Sequence, residues 1–181
     1  MKIIRLNTTG FILPVKEHET FKKYMLEYIE KQPRLEINDK DKIYNTDYED
    51  VKIDKPYIDE AIKVLGPYLG NICERLKLND VNVKEMWYQQ YVKGNFHQWH
   101  THPHSGWAGI YYIELPSDDT KTQLYDSLEN KVIDNLDLRE GDLFVFPATL
   151  LHRSPENTTD NMKTILSFNF DFNKIENIWT N

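Results

Sequence analysis

The chain has 181 residues, 40% of them hydrophobic and 13% aromatic, with 22 Lys and Arg against 29 Asp and Glu for a formal charge of −7. That length predicts one domain with a substantial core, and the acidic balance argues against a nucleic-acid backbone as the main partner. Cys73 is the single cysteine, which excludes an intrachain disulfide and a cysteine-cluster metal site.

The opening MKIIRLNTTGFILP has no sustained apolar segment of signal length, and no span approaches transmembrane length. A cytoplasmic protein without a membrane partner is the expectation. Residues 2–6 read as a short strand and Gly10 to Pro14 as a turn into the first helix. His18 to Lys31 places Phe21, Met25 and Tyr28 on one face with charge opposite, and Pro33 ends it. Gln32 to Lys55 is polar with little periodicity, a long surface loop of the kind that forms lids. Pro56 to Leu76 is a second helix with an apolar stripe through Ile58, Ile62, Leu65, Leu69, Ile72 and Leu76. Gly66-Pro67 inside it should kink or break it.

After Asn79-Asp80 the texture changes to strands. Candidates are Val81–Val92, Gln98–Pro103, Trp107–Leu115, Thr122–Tyr125, Val132–Leu138, Leu143–Pro147 and Met162–Phe172. Many short strands between turn signals suggest a sandwich or jelly roll. The last strand is apolar on both faces, which fits a sheet covered by the two helices. The fold class expected is α+β, mainly β: a double-stranded β-helix supported by N-terminal helices. It forms one domain over 1–181, with 1–80 as helical support and 81–181 as the core.

The chemistry concentrates in Tyr91 to Tyr112, which holds four of the six histidines: His97, His100, His102 and His104. In an extended strand, residues two apart share a face, about 6–7 Å apart at Cα. His100 and His102 can then grip one metal ion, and His152, framed by GDLFVFPATLLHRSP, brings a third imidazole to the same end. The competing reading is a polar loop of structural histidines. A site of neutral imidazoles should lose metal as pH drops through the imidazole range.

From Trp87 to Phe172 these residues resemble the iron(II)- and 2-oxoglutarate-dependent oxygenases, particularly the prolyl-hydroxylase-like branch and its small phage and marine-bacterial members. The matching pieces, in order, are Tyr91-x-x-Gly94, QWHTHP, GIYYIELP, GDLFVFPATLLH and KTILSFNF. The resemblance puts the first metal ligand on His100 and the distal one on His152. Its middle ligand is usually an Asp or Glu two residues after the first, and here that residue is His102. Two histidines and a carboxylate make the recognised facial triad for non-haem iron. Either His102 takes the role or a carboxylate such as Asp126, in LYDSLEN, completes the site. The basic residue that binds the co-substrate's far carboxylate falls on Lys163, with Arg139 and Arg153 as alternatives. Tyr91 and Tyr112 match tyrosines lining that pocket, and Ser167 and Asn169 share the Lys163 face by alternation. His97 and His104 are expected at the periphery or surface.

The resemblance implies a dioxygenase with Fe(II) and 2-oxoglutarate as cofactors, hydroxylating a C–H bond of a peptidyl, amino-acid or other small-molecule substrate and releasing succinate and CO2. It also implies the cytoplasm of a bacterium or of a phage-infected host. One rival is a cupin-type three-histidine enzyme without 2-oxoglutarate. Gly94, His100 and His102 satisfy its first motif, but Ser105, Gly106 and Trp107 supply no following Glu. Gly141, Pro147 and His152 fit its second motif, where Thr149 stands for a glycine. The other rival is a non-catalytic jelly-roll binding module. Succinate formation with and without iron separates the three.

Overall fold

The computed structural model describes residues 1–6, 8–48 and 54–173. Two strands open the chain, β1 (Lys2–Leu6) and β2 (Thr8–Pro14). Helix α1 (His18–Glu30) follows. Three two-residue strands come next: β3 (Ile37–Asn38), β4 (Lys42–Ile43) and β5 (Asn45–Thr46). Helix α2 (Tyr57–Leu76) leads into β6 (Asp80–Tyr91), β7 (His97–His100) and β8 (Trp107–Glu114). After a 3-10 turn at Asp118–Thr120 come β9 (Gln123–Asp126) and β10 (Lys131–Ile133). The chain ends in β11 (Asp142–Pro147), β12 (His152–Ser154) and β13 (Lys163–Asn173).

The strands form a seven-stranded sheet, β1-β2-β11-β8-β13-β6-β5, and a four-stranded sheet, β10-β9-β12-β7. This is the expected mainly-β jelly roll. Strand alternation splits the large sheet's side chains between two cores. Leu143, Val145, Leu166, Phe168 and Phe170 pack toward Phe21, Met25 and Ile29 of α1 and Leu65, Leu69 and Ile72 of α2. Ile110, Tyr112, Phe144, Phe146 and Ile165 point the other way, into the space between the sheets. A sheet buried on both faces explains why β13 is buried from Lys163 to Phe170, even on the face that carries Lys163, Ser167 and Asn169.

Several expectations change. Gly10 to Pro14 is strand, not turn: Phe11, Ile12 and Leu13 are buried, and β2 pairs with both β1 and β11. The first 80 residues therefore supply strands of the main sheet as well as helices. Helix α2 runs uninterrupted through Gly66-Pro67, with Pro67 on its exposed face, where the carbonyl that proline leaves free is open to solvent. Its buried face is Tyr57, Ala61, Leu65, Leu69, Ile72 and Cys73, while Ile62 is exposed. The polar stretch 32–48 is fastened to the sheet edge rather than loose. Asp47 is fully buried and accepts from Tyr57 Oη (2.6 Å) and the Tyr88 amide (2.9 Å), and Thr46 Oγ1 donates to the Tyr88 carbonyl (2.7 Å). The rest of the expected loop, residues 49–53, lies outside the described residues.

One glycine is fixed by contact. Gly109 sits opposite Phe168 on the neighbouring strand, and a Cβ there would lie 2.3 Å from the ring. Gly109→Ala is therefore expected to destabilise the protein by about 3 kcal/mol, at the upper end of ordinary overpacking. Urea unfolding measures it, and a loss below about 1 kcal/mol would show that Phe168 moves aside freely.

Candidate active site

His100 ends β7 and stands opposite His152, which begins β12, in the register of the small sheet. Their ring centroids are 4.2 Å apart, and each is 5.1 Å from the ring of His102. One candidate ligand atom from each of the three lies within 4.8 Å of the others, the only such group of His, Cys, Asp and Glu among the described residues. Nitrogens sharing an ion at ~2.1 Å lie roughly 3–3.5 Å apart, so small side-chain rotations close the site.

Strand alternation does not place His102. β7 stops at His100, and His102 lies in the turn beyond it. It is placed instead by its amide, which donates to the Ala148 carbonyl (2.8 Å), and by the return bond from Ala148 N to the Gly106 carbonyl (3.1 Å). Lys84 holds the same loop from outside, donating to the His104 carbonyl (2.7 Å) and pairing with Asp171 (2.6 Å). His104 itself is exposed.

The ring nitrogens are set for a metal. Nδ1 of His100 lies 2.7 Å from the Gln98 carbonyl and Nδ1 of His152 lies 2.8 Å from the Leu150 carbonyl. A carbonyl only accepts, so both protons sit on Nδ1 and both Nε2 atoms are bare. Burial, and secondarily the neighbouring imidazoles, pull the His152 pKa well below the ordinary histidine value, and burial pulls His102 down to about 4. His100 shifts the same way for the same first reason. This corrects the expected loss of metal through the imidazole range. Three unperturbed imidazoles would lose about fiftyfold in affinity between pH 7.5 and pH 6. Here the loss is expected to stay below about fivefold, read by metal titration at the two pH values.

His97 stands directly behind His100. β7 carries one extra residue against β12, so that His152 faces His100 and Ser154 faces His97, a β-bulge. The bulge turns His97 onto the His100 side, where the rings stack at 3.9 Å. Asp41 fixes it from the loop, with Oδ2 3.6 Å from His97 Nε2 and Oδ1 accepting from the Gln98 amide (2.7 Å). Neither Asp41 nor the bulge left a signal in the strand alternation.

Lys163 has no exposed surface, and its Nζ donates to Ser154 Oγ (2.7 Å) and the Thr120 carbonyl (2.5 Å). Burial lowers its pKa to about 7, and no acidic group among the described residues offsets that. A buried ammonium facing only neutral acceptors has no opposite charge beside it among the described residues, and Ser154, which holds it, lines the cavity at the histidines. Tyr91 lies beside it, with Nζ 5.3 Å from the ring centre and a buried hydroxyl near Ser154 without a well-formed hydrogen bond. Tyr112 is buried and donates to Thr122 Oγ1 (2.7 Å), and Ser167 Oγ donates to Gln89 Oε1 (3.3 Å). Tyr91, Gln89, His100, His152, Ser154 and Ser167 line one cavity. A larger groove of about 490 Å³ between α2 and β6 is apolar and contains no member of the histidine group.

The alternatives lie elsewhere. Asp126 is outside the histidine group, and its Oδ1 accepts from the amides of Leu128 (3.0 Å) and Glu129 (3.1 Å) in the β9–β10 turn. Arg153 donates to Gln123 and lies over the Trp99 ring, while Arg139 is exposed beside Asp137.

Residues 85–169 match the family model described as "Putative 2OG-Fe(II) oxygenase". Over that stretch the chain is similar to the 2OG-Fe(II) oxygenases. No curated protein matches the chain in sequence. Solved structures share its fold. A prolyl-4-hydroxylase from Pseudomonas putida is 12% identical with a TM-score of 0.62, covering 92% of each chain. The viral collagen prolyl hydroxylase of Paramecium Bursaria Chlorella virus-1, in complex with 2OG, is 11% identical (TM-score 0.59; 89% of this chain, 94% of that one). HygX from Streptomyces hygroscopicus, with nickel, 2-oxoglutarate and hygromycin B bound, is also 11% identical (TM-score 0.66; 89% and 82%). Among the described residues, no helix is long and apolar enough to cross a membrane.

Proposed function

We propose that this Fe(II)- and 2-oxoglutarate-dependent oxygenase holds its metal with His100, His102 and His152, and its co-substrate's far carboxylate with Lys163. The convergence of three neutral imidazoles beside one buried ammonium carries the reading. When bound, the iron and 2-oxoglutarate supply oxidation of a substrate C–H bond by O2, giving the hydroxylated product, succinate and CO2. The chain's own part is placement and exclusion of water. The carbonyls of Gln98 and Leu150 orient two of the imidazoles, Ser154 and Thr120 aim the ammonium, and Tyr91 and Tyr112 wall the co-substrate off from solvent. Ser167 offers the co-substrate a hydroxyl. The substrate is a small molecule or a peptidyl side chain, in keeping with relatives named for prolyl hydroxylation and for binding hygromycin B.

The three-imidazole set also suits a metal enzyme that makes no use of 2-oxoglutarate, and the buried Lys163 is what disfavours that reading. Incubation with Fe(II), O2 and 2-oxoglutarate should release succinate even without added substrate, through uncoupled turnover. Tight iron binding with no succinate and no measurable 2-oxoglutarate binding would favour the three-histidine alternative.

A further inference from the structure

Backbone carbonyls set the metal-facing tautomer of His100 and His152, but His102 has no such carbonyl. Its Nδ1 meets the side-chain amide of Asn169 instead, with Nδ2 at 3.3 Å. That same Nδ2 donates to Glu85 Oε1 at 2.9 Å, while Asn169 Oδ1 is buried with no hydrogen-bond partner. An NH2 group only donates, so the His102 nitrogen facing it must be the bare one, and the ring proton sits on Nε2. In that state Nε2 is closed to a metal.

A half-turn of the amide exchanges Oδ1 for Nδ2 without changing its shape. Oδ1 then accepts from Nδ1–H, and His102 presents a bare Nε2, as the other two rings do. Glu85 opposes the turn, because its carboxylate accepts from Nδ2 and repels Oδ1. Asn169 is 3% exposed, so little water can stand in for it. Glu85 is exposed and can turn outward.

We propose that Asn169 selects the metal-binding tautomer of His102 and that Glu85 restrains the switch, an inference that rests on His102 being a ligand. Asn169 acts here as a positioning residue, since it reaches the metal only through the ring it orients.

Anaerobic Co(II) titration, followed by d–d absorption, tests this without turnover. Glu85→Gln keeps the side chain's shape but can donate to the turned Oδ1, so Co(II) affinity should rise about three- to tenfold, the scale of one hydrogen bond. Asn169→Leu, with neither donor nor acceptor, should weaken binding about ten- to a hundredfold, and Asn169→Asp, a permanent acceptor, should restore it. In ¹⁵N spectra the His102 proton should sit on Nε2 in the metal-free protein and on Nδ1 in the Zn(II)-loaded one. Unchanged or weaker Co(II) binding by Glu85→Gln, or parental binding by Asn169→Leu, overturns the inference. His102→Ala belongs in the same series. If it loses Co(II) while the Glu85 and Asn169 variants bind like the parent, only this inference falls. If it binds as tightly as the parent, the proposed ligand set falls with it.

Discussion

Replacing His152 with alanine should cost the protein its tight iron binding, by more than about a hundredfold, because a metal ligand outweighs the 10–100-fold that its hydrogen-bonding partners typically carry. His152 is 3% exposed, so no water approaches to take its place at the ion. His100→Ala should behave alike. His102 is the informative position, because three imidazoles leave the ion's charge uncompensated. His102→Ala should lose iron, while His102→Asp should keep it by supplying the carboxylate of the usual facial triad. Asp126→Ala should bind iron like the parent, since its carboxylate caps a turn of the β9–β10 hairpin. Anaerobic iron titration of the five variants decides the matter, and tight binding by His102→Ala would remove it from the ligand set.

Lys163→Ala should weaken 2-oxoglutarate about ten- to a hundredfold, the worth of a charge-assisted hydrogen bond to a carboxylate. Iron binding should barely change. The pH dependence carries an independent signature. Burial lowers the free ammonium's pKa to about 7, and a bound carboxylate favours the charged form. The charged fraction is nearly complete at pH 6 and falls as pH rises through 7. Affinity for 2-oxoglutarate should therefore be about tenfold weaker at pH 8 than at pH 6, and in Lys163→Ala this slope should vanish. Burial shifts the three imidazoles below the ordinary histidine range, so they contribute little slope of their own. Unchanged affinity in the variant would refute the assignment. A parent profile flat from pH 6 to pH 8 would mean that Lys163 stays charged in the empty site.

Much of the architecture was legible because strand alternation and apolar content agree. Seven strands from β6 to β13 were found within a few residues, as was the two-faced burial of β13. β12 was missed, since three residues beginning at His152 are too short to show a period. Its absence hid Ser154, two residues on, which holds Lys163. β2 was read as a turn because Gly10 and Pro14 bracket it, although Phe11, Ile12 and Leu13 fill both cores. The grouping of the three histidines is legible in the sequence, but strand alternation does not place His102: its amide bonds to the Ala148 carbonyl, 46 residues away. Asp41, His97 and Asn169 depend on such long-range contacts and on a bulge. No local pattern encodes these.

The brevity of β12 has one more consequence. His152 and Ser154 both point inward from it, so the metal-side ring and the hydroxyl that steadies Lys163 are one two-residue step apart, roughly 7 Å along the strand. Being cross-bonded to β7 on one side and β9 on the other, that step cannot stretch. On the proposed assignment that step would act as a gauge for acid length: 2-oxoglutarate, with five carbons, should reach from the ion to the ammonium, whereas oxaloacetate, one carbon shorter, should reach one end or the other but not both.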